Sequence, residues 1–259
     1  MQGSFARVLN ISGFDPSASA GVLAEIKTLQ SLGVYGFGVC SALTFQNDID
    51  FENVQWISTS DIINQIDVLL KRFDFPIVKI GLIESFDSLN NILLYLKKRV
   101  PGVKVIWDPI FSASAGFVFH ESITHTDIER LCKKIYLLTP NKIEVRKFAK
   151  DSFDKEEVIA KRLSIYCNVL LKDGHGSGKE AKDILFTSHG QFEFQHDRLE
   201  GVKKHGSGCV FTAAICSFLA QGFTLEMSCE KAKDYMQSYL QTGEGQLGFH
   251  FQMNNQFVI

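Results

Sequence analysis

Little in this chain leans toward one sign of charge: 27 Lys and Arg stand against 29 Asp and Glu, a formal net charge of −2. A nucleic-acid partner would demand a basic surface, so that class is set aside. An anionic substrate is not, because backbone amides and one or two cations build a phosphate site locally. No apolar run approaches the roughly 20 residues of a membrane span, so no membrane association is expected. The opening MQGSFARVLN lacks the long apolar segment of a signal peptide. The six cysteines (40, 132, 167, 209, 216 and 229) form no C-x-x-C pair, so no zinc or redox motif is present. Free thiols without an export signal point to the cytoplasm. The common fingerprints G-x-x-x-x-G-K-[ST], G-x-G-x-x-G after the first strand and G-x-S-x-G are missing. The histidines are scattered without metal-ligand spacing. With no repeat, low-complexity linker or charge block, residues 1–259 are expected to form one domain.

What is present is an alternation of short β-branched apolar runs with amphipathic segments. Strands are expected at Arg7–Ile11, Phe37–Phe45, Ile77–Ile83, Val103–Trp107, Tyr136–Thr139 and Val169–Lys172. Helices are expected at Ser19–Leu32, Asp61–Phe73 with Ser60 as N-cap, Leu89–Lys98, Asp127–Ile135 and Lys155–Tyr166. The alternation predicts a doubly wound α/β fold: a mostly parallel central sheet with helices on both faces. Near Ile184 the pattern changes. A small antiparallel hairpin is expected at 184–195, turning at His189-Gly190, then helices Val210–Gln221 and Leu225–Gln241. Ligands of such sheets sit beyond the carboxyl ends of the strands. That rim carries Gly13 to Ser19, Gln46, Leu82, Asp108 to Ile110, Asn141 to Glu144 and Lys172 to His175.

The strongest chemical signal is His205-Gly206-Ser207-Gly208-Cys209 running into the apolar helix VFTAAICSFLAQG. Its glycines allow close backbone approach, and amides at a helix N-terminus stabilise an anion such as a moving phosphoryl group. An ordinary glycine-rich turn explains the motif equally well. Cys209 sits at the loop–helix junction, where the helix is expected to lower its pKa and let it take a hydroxyl proton. Its other reading is a small buried residue. Thr139-Pro140-Asn141 with Glu144 reads either as a capping pair or as oxygens holding Mg²⁺ through its waters, with Asp108 as a further oxygen. Lys172, at the end of an apolar strand in LLKDGH, can reach a β- or γ-phosphate or snorkel to solvent. The small residues of Gly13-Phe14-Asp15-Pro16-Ser17 and Ala20-Gly21 leave room for a flat ligand. Gln46 offers the donor and acceptor that a pyrimidine edge needs.

These segments, in this order, resemble the hydroxymethylpyrimidine/phosphomethylpyrimidine kinases of thiamin biosynthesis, members of the ribokinase-like superfamily. The likeness runs from about Val8 to Phe251 through SGFDPSASAGVLAEIKTLQSLGVYG and SALTFQN, then VKIGLI, WDPIFSASAG, LLTPNKIE, VLLKDGH and HGSGC. It implies an ATP-dependent kinase, using Mg²⁺ and forming a homodimer, that phosphorylates a hydroxymethylpyrimidine, its monophosphate, or both. It implies a catalytic cysteine at Cys209, an anion hole at Gly206, Ser207 and Gly208, and a pyrimidine pocket at Gly13, Asp15, Ala20, Gln46, Leu82 and Ile110. Lys172, Asn141 and Thr139 fall on ATP positions, and Asp108 and Glu144 on metal positions. A pyridoxal or pyridoxine kinase, or a pyrimidine-binding sensor, remains the alternative reading. The chain departs from the family pattern at Ala18-Ser19 (a glycine pair), Leu82 (methionine), Asp173 (glycine), Lys204 (threonine) and the tail GEGQLGFHF. Asp173 is expected to add negative charge near the phosphates.

Overall fold

A computed structural model describes residues 5–149, 152–174, 176 and 178–251. The spine is β1 (Arg7–Phe14), flanked by β2 (Tyr35–Gln46) and β4 (Ile77–Ile80), and continuing through β5 (Lys104–Trp107), β6 (Leu137–Leu138) and β7 (Asn168–Leu171), all parallel. Antiparallel strands close both ends: β3 (Phe51–Trp56) pairs with β2, and β8 (Glu180–Thr187) and β9 (Gly190–Asp197) extend from β7. Among the described residues the sheet therefore runs β3-β2-β1-β4-β5-β6-β7-β8-β9.

The parallel strands are largely apolar because they are covered on both faces, with Asn10, Ser12 and Lys79 as buried polar exceptions. Side chains alternate across the pleat: Val8, Ile77, Ile106 and Leu137 face one core, and Leu9, Val78, Val105 and Leu138 the other. The first core is covered by α1 (Gly21–Ser31), α7 (Ser207–Ala220) and α8 (Leu225–Leu240). The second is covered by α2 (Thr59–Leu70), α3 (Phe86–Arg99), α4 (His125–Cys132), α5 (Lys142–Lys147) and α6 (Glu156–Leu163). Helix α7 is buried nearly all round, as its uninterrupted apolar sequence requires.

The expected alternation is the one observed, with differences at its edges. Strand β3 lies where none was expected. The hairpin is longer than 184–195. The cap of α2 is Ser58, not Ser60: Ser58 Oγ accepts from Asp61 N at 3.1 Å, and Asp61 stands three residues on, as a cap partner does. No described helix is long and apolar enough to cross a membrane.

Candidate active site

The carboxyl ends of β1, β4, β5 and β7 converge on the N-termini of α1, α5 and α7, and the polar residues there are buried. Asp108, just past β5, is the hub. Its Oδ1 accepts from Lys172 Nζ at 2.7 Å and from Thr139 Oγ1 at 3.1 Å. Thr139 Oγ1 lies 3.2 Å from Thr212 Oγ1 of α7. Asp108 Oδ2 lies 3.9 Å from Lys79 Nζ, which donates to Glu25 Oε1 of α1 at 2.7 Å. Glu25, Lys79, Asp108 and Lys172 thus alternate in sign across the floor of the rim. Burial disfavours the charged form of Lys79, but Glu25 and Asp108 outweigh it and raise its pKa.

Asn141 caps α5. Its Oδ1 accepts from Ile143 N and Glu144 N, and Glu144 Oε2 accepts from Asn141 N at 2.7 Å. Both parts of the capping pair exist, so the structural reading of this motif holds. Burial pushes the Glu144 carboxyl up to about 7 against the pull of Lys172.

The glycine loop is fixed by contact with the loop after β1. Asp15, almost wholly buried, accepts from Ser17 N, Ser17 Oγ and Ala20 N, and its Oδ2 lies 3.3 Å from His205 Nε2. Burial raises its pKa, yet these partners together hold the carboxyl below the usual range. Gly206 adopts φ +69°, and a Cβ there would overlap the Ser19 carbonyl oxygen. Glycine is required by conformation and by space. A Cβ on Gly208 would sit 3.6 Å from Lys172 Nζ, so loop and lysine are neighbours. Ser207 opens α7.

Cys209 is buried at this junction. Contrary to the expected lowering, its thiol is pushed up to about 12. Burial dominates. Lys79 and the amide of Gly21 pull it down, while Glu25 and Asp108 push it further up. The resting residue is a thiol, not a thiolate.

The flat-ligand positions lie beside this floor. A Cβ on Gly13 would stand 3.1 Å from Leu82 Cδ2, placing those two in contact. Gln46 ends β2 half-buried and donates from Nε2 to Thr44 Oγ1, which donates to the Phe14 carbonyl. Ala20 precedes α1 and touches Gly206. Ile110, half-buried, lines a small cavity with Gly81, Pro109 and Phe111. His175 lies outside the described residues.

The charge expected from Asp173 is cancelled within the fold. Its carboxylate meets Arg198 Nη2 at 3.0 Å and Lys142 Nζ at 2.7 Å, and its amide donates to Asp183. Lys79 and Glu25 were missed from the sequence, and His205, though part of the HGSGC signal, was given no role there. The signal for Lys79 was available: a lysine between Val78 and Ile80 in a strand with no solvent face.

A family model described as phosphomethylpyrimidine kinase matches residues 15–254. The chain belongs to the phosphomethylpyrimidine kinase family. A hydroxymethylpyrimidine/phosphomethylpyrimidine kinase of Staphylococcus aureus (strain MSSA476) is 30% identical over 241 residues, 90% of this chain and 87% of the relative. A pyridoxal kinase from Staphylococcus aureus, solved with ADP, shares the fold with TM-score 0.83 at 21% identity, covering 98% of this chain and 96% of that one. A phosphomethylpyrimidine kinase from Clostridium difficile 630 shares it with TM-score 0.75 at 24% identity, covering 91% and 99%.

Proposed function

We propose that this chain transfers the γ-phosphoryl group of ATP to the hydroxymethyl group of 4-amino-5-hydroxymethyl-2-methylpyrimidine and of its monophosphate, in thiamin biosynthesis. Family membership supports the reaction class. The observation that carries the site is the meeting of Lys172 and Asp108 with the glycine loop and Cys209. Gln46 reads the ring nitrogen and amino group, while Gly13, Asp15, Ala20, Leu82 and Ile110 shape the slot. The amides of Gly206, Ser207, Gly208 and Cys209 receive the moving phosphoryl, whose charge spreads over its outer oxygens. Lys172 turns from Asp108 toward the β- and γ-phosphates, and Thr139 and Asn141 line the nucleotide side.

The acceptor oxygen bonds to phosphorus as the bond from phosphorus to the bridging oxygen of ADP breaks. In a loose transition state the hydroxyl loses its proton late, once bonding to phosphorus has made it acidic. A protonated thiol therefore suffices as orienting partner: the Cys209 sulfur accepts a hydrogen bond from the hydroxyl, whose proton passes late to an oxygen of the transferred phosphoryl group. The hard oxygens of Asp108 and Glu144 suit Mg²⁺ held through water, and the ion would neutralise phosphate charge.

Residues 1–259 act as one kinase domain, cytoplasmic and with its cysteines free. Two copies pair through the β2–β3 end of the sheet, where Leu43, Phe45 and Ile49 are exposed. Phe45→Glu is expected to yield monomers by light scattering.

The deciding assay follows ATP consumption with the pyrimidine alcohol, its monophosphate and pyridoxal. Cys209→Ala should keep nucleotide binding and lose turnover by about 10²-fold or more. Unchanged turnover removes the role given to Cys209. A higher kcat/KM for pyridoxal than for the pyrimidine removes the substrate assignment.

A further inference from the structure

Two departures from the family pattern, Lys204 and the tail that begins at Gly243, meet in space. Lys204 Nζ donates to the carbonyl oxygens of Gly245 and Leu247, both at 3.0 Å. The next residue adds a backbone bond, His205 N to Gln246 O at 2.9 Å. The segment just before Gly206 is thus stitched to the tail by three hydrogen bonds.

The tail is in turn anchored to α8 and, through it, to α1. Gly248 lies against the buried ring of Tyr239 on α8, and a Cβ there would run into that ring. Thr242 Oγ1 accepts from Phe249 N and donates to Phe249 O. The His250 ring packs on Tyr239, and its Nδ1 lies 2.9 Å from Tyr235 OH, which reaches Ser31 of α1 at 3.0 Å. Phe251 packs on Tyr235.

The glycine loop is therefore held from two sides. On the side of the loop after β1, Asp15 Oδ2 stands 3.3 Å from the His205 ring and the Ser19 carbonyl abuts Gly206. The tail holds the glycine loop from α8. The αL turn at Gly206 carries its own backbone bonds, Ser207 N to Lys204 O at 3.3 Å and Val210 N to Gly206 O at 3.0 Å, so a shift of Lys204 is passed directly to the amides that open α7.

We propose that the tail at Gly243–Phe251, through Lys204, is a positioning element that sets where the amides at the start of α7 point during phosphoryl transfer. Lys204 is a positioning residue: it acts through the loop it holds. An ammonium suits this task where a threonine would not, since only a long side chain with several donors spans two carbonyls at once. The inference deepens the kinase reading above and rests on it.

The test uses the full chain with Lys204→Met, Lys204→Arg and Gly248→Ala. Gly248→Ala is the independent arm, because it displaces the tail at Tyr239 without altering the loop or Lys204. Amide exchange followed by mass spectrometry across residues 203–209 reads the loop directly. Exchange there is expected to quicken about tenfold in Lys204→Met and Gly248→Ala, with the sheet core unchanged. The kcat should fall by about tenfold or more while KM for the pyrimidine stays within about twofold, and Lys204→Arg should restore most of the rate. Unchanged exchange at the loop in both variants overturns the inference whatever the activity, as does faster exchange spread evenly over the whole chain. Should the wild-type chain phosphorylate neither pyrimidine, the kinase reading fails while the exchange result still tests the strap.

Discussion

The Glu25–Lys79 pair gives the sharpest test of the energetics beneath the site. Both side chains are fully shielded from water, and their charged atoms are 2.7 Å apart. Lys79→Met removes the cation and keeps the shape, leaving a buried carboxylate with no counter-ion. Such a break costs about 3–5 kcal/mol, against a total folding stability of roughly 5–15 kcal/mol. Glu25 can escape part of that cost by binding a proton. Burial already raises its pKa, and loss of Lys79 raises it further. A carboxyl raised in the folded state gives stability that is present below its unfolded pKa of about 4.3 and is lost as pH rises through the folded value. The deficit of Lys79→Met should therefore be smallest near pH 5 and grow toward pH 8. Adding Glu25→Leu removes the stranded charge and should return stability to within about 1–2 kcal/mol of wild type. Urea unfolding followed by circular dichroism at both pH values, with the slope checked for constancy, measures each step. A single variant within about 1 kcal/mol of wild type at pH 8, or a deficit independent of pH, refutes the reasoning.

Ala18 adopts φ +55° without glycine's freedom, so Ala18→Gly should stabilise by about 1 kcal/mol and raise Tm by roughly 2–4 °C in a calorimetric scan. Gly206→Ala should do the reverse, losing turnover and at least about 2 kcal/mol in urea unfolding, because the added methyl overlaps the Ser19 carbonyl. Burial pushes the His250 imidazole down to about 4. A depressed histidine contributes stability above its ordinary value of about 6.5 and loses it as pH falls toward the folded value. Protection factors at residues 246–251, taken relative to the intrinsic exchange rate at each pH, should therefore fall between pH 6.5 and 4, and His250→Asn should remove that dependence.

The order of strands and helices was readable because parallel strands shielded on both faces are spelled as mostly apolar runs, and the caps and glycines punctuate them. Strand β3 escaped because it alternates weakly and buries none of its residues fully: Phe51-Glu-Asn-Val-Gln-Trp has no apolar block. The rim residues Asp108, Thr139 and Lys172 could be placed together from their strand ends alone. Their bonding could not, because it spans 31 to 64 positions. The same limit hid the partners of Asp173: Arg198 lies 25 positions away. The state of Cys209 was misread for a different reason. A helix N-terminus is visible in the sequence, whereas the loss of water around the sulfur, which outweighs it, is a property of the packed layers.

A sulfur that keeps its proton is hard to injure. Peroxides and alkylating reagents attack thiolates, and their rates follow the fraction ionised. With Cys209 held near 12 and enclosed, the resting protein carries at its centre a group that common oxidants and iodoacetamide scarcely touch. Cys40 is the partly accessible one of the six, so it is where such damage would begin.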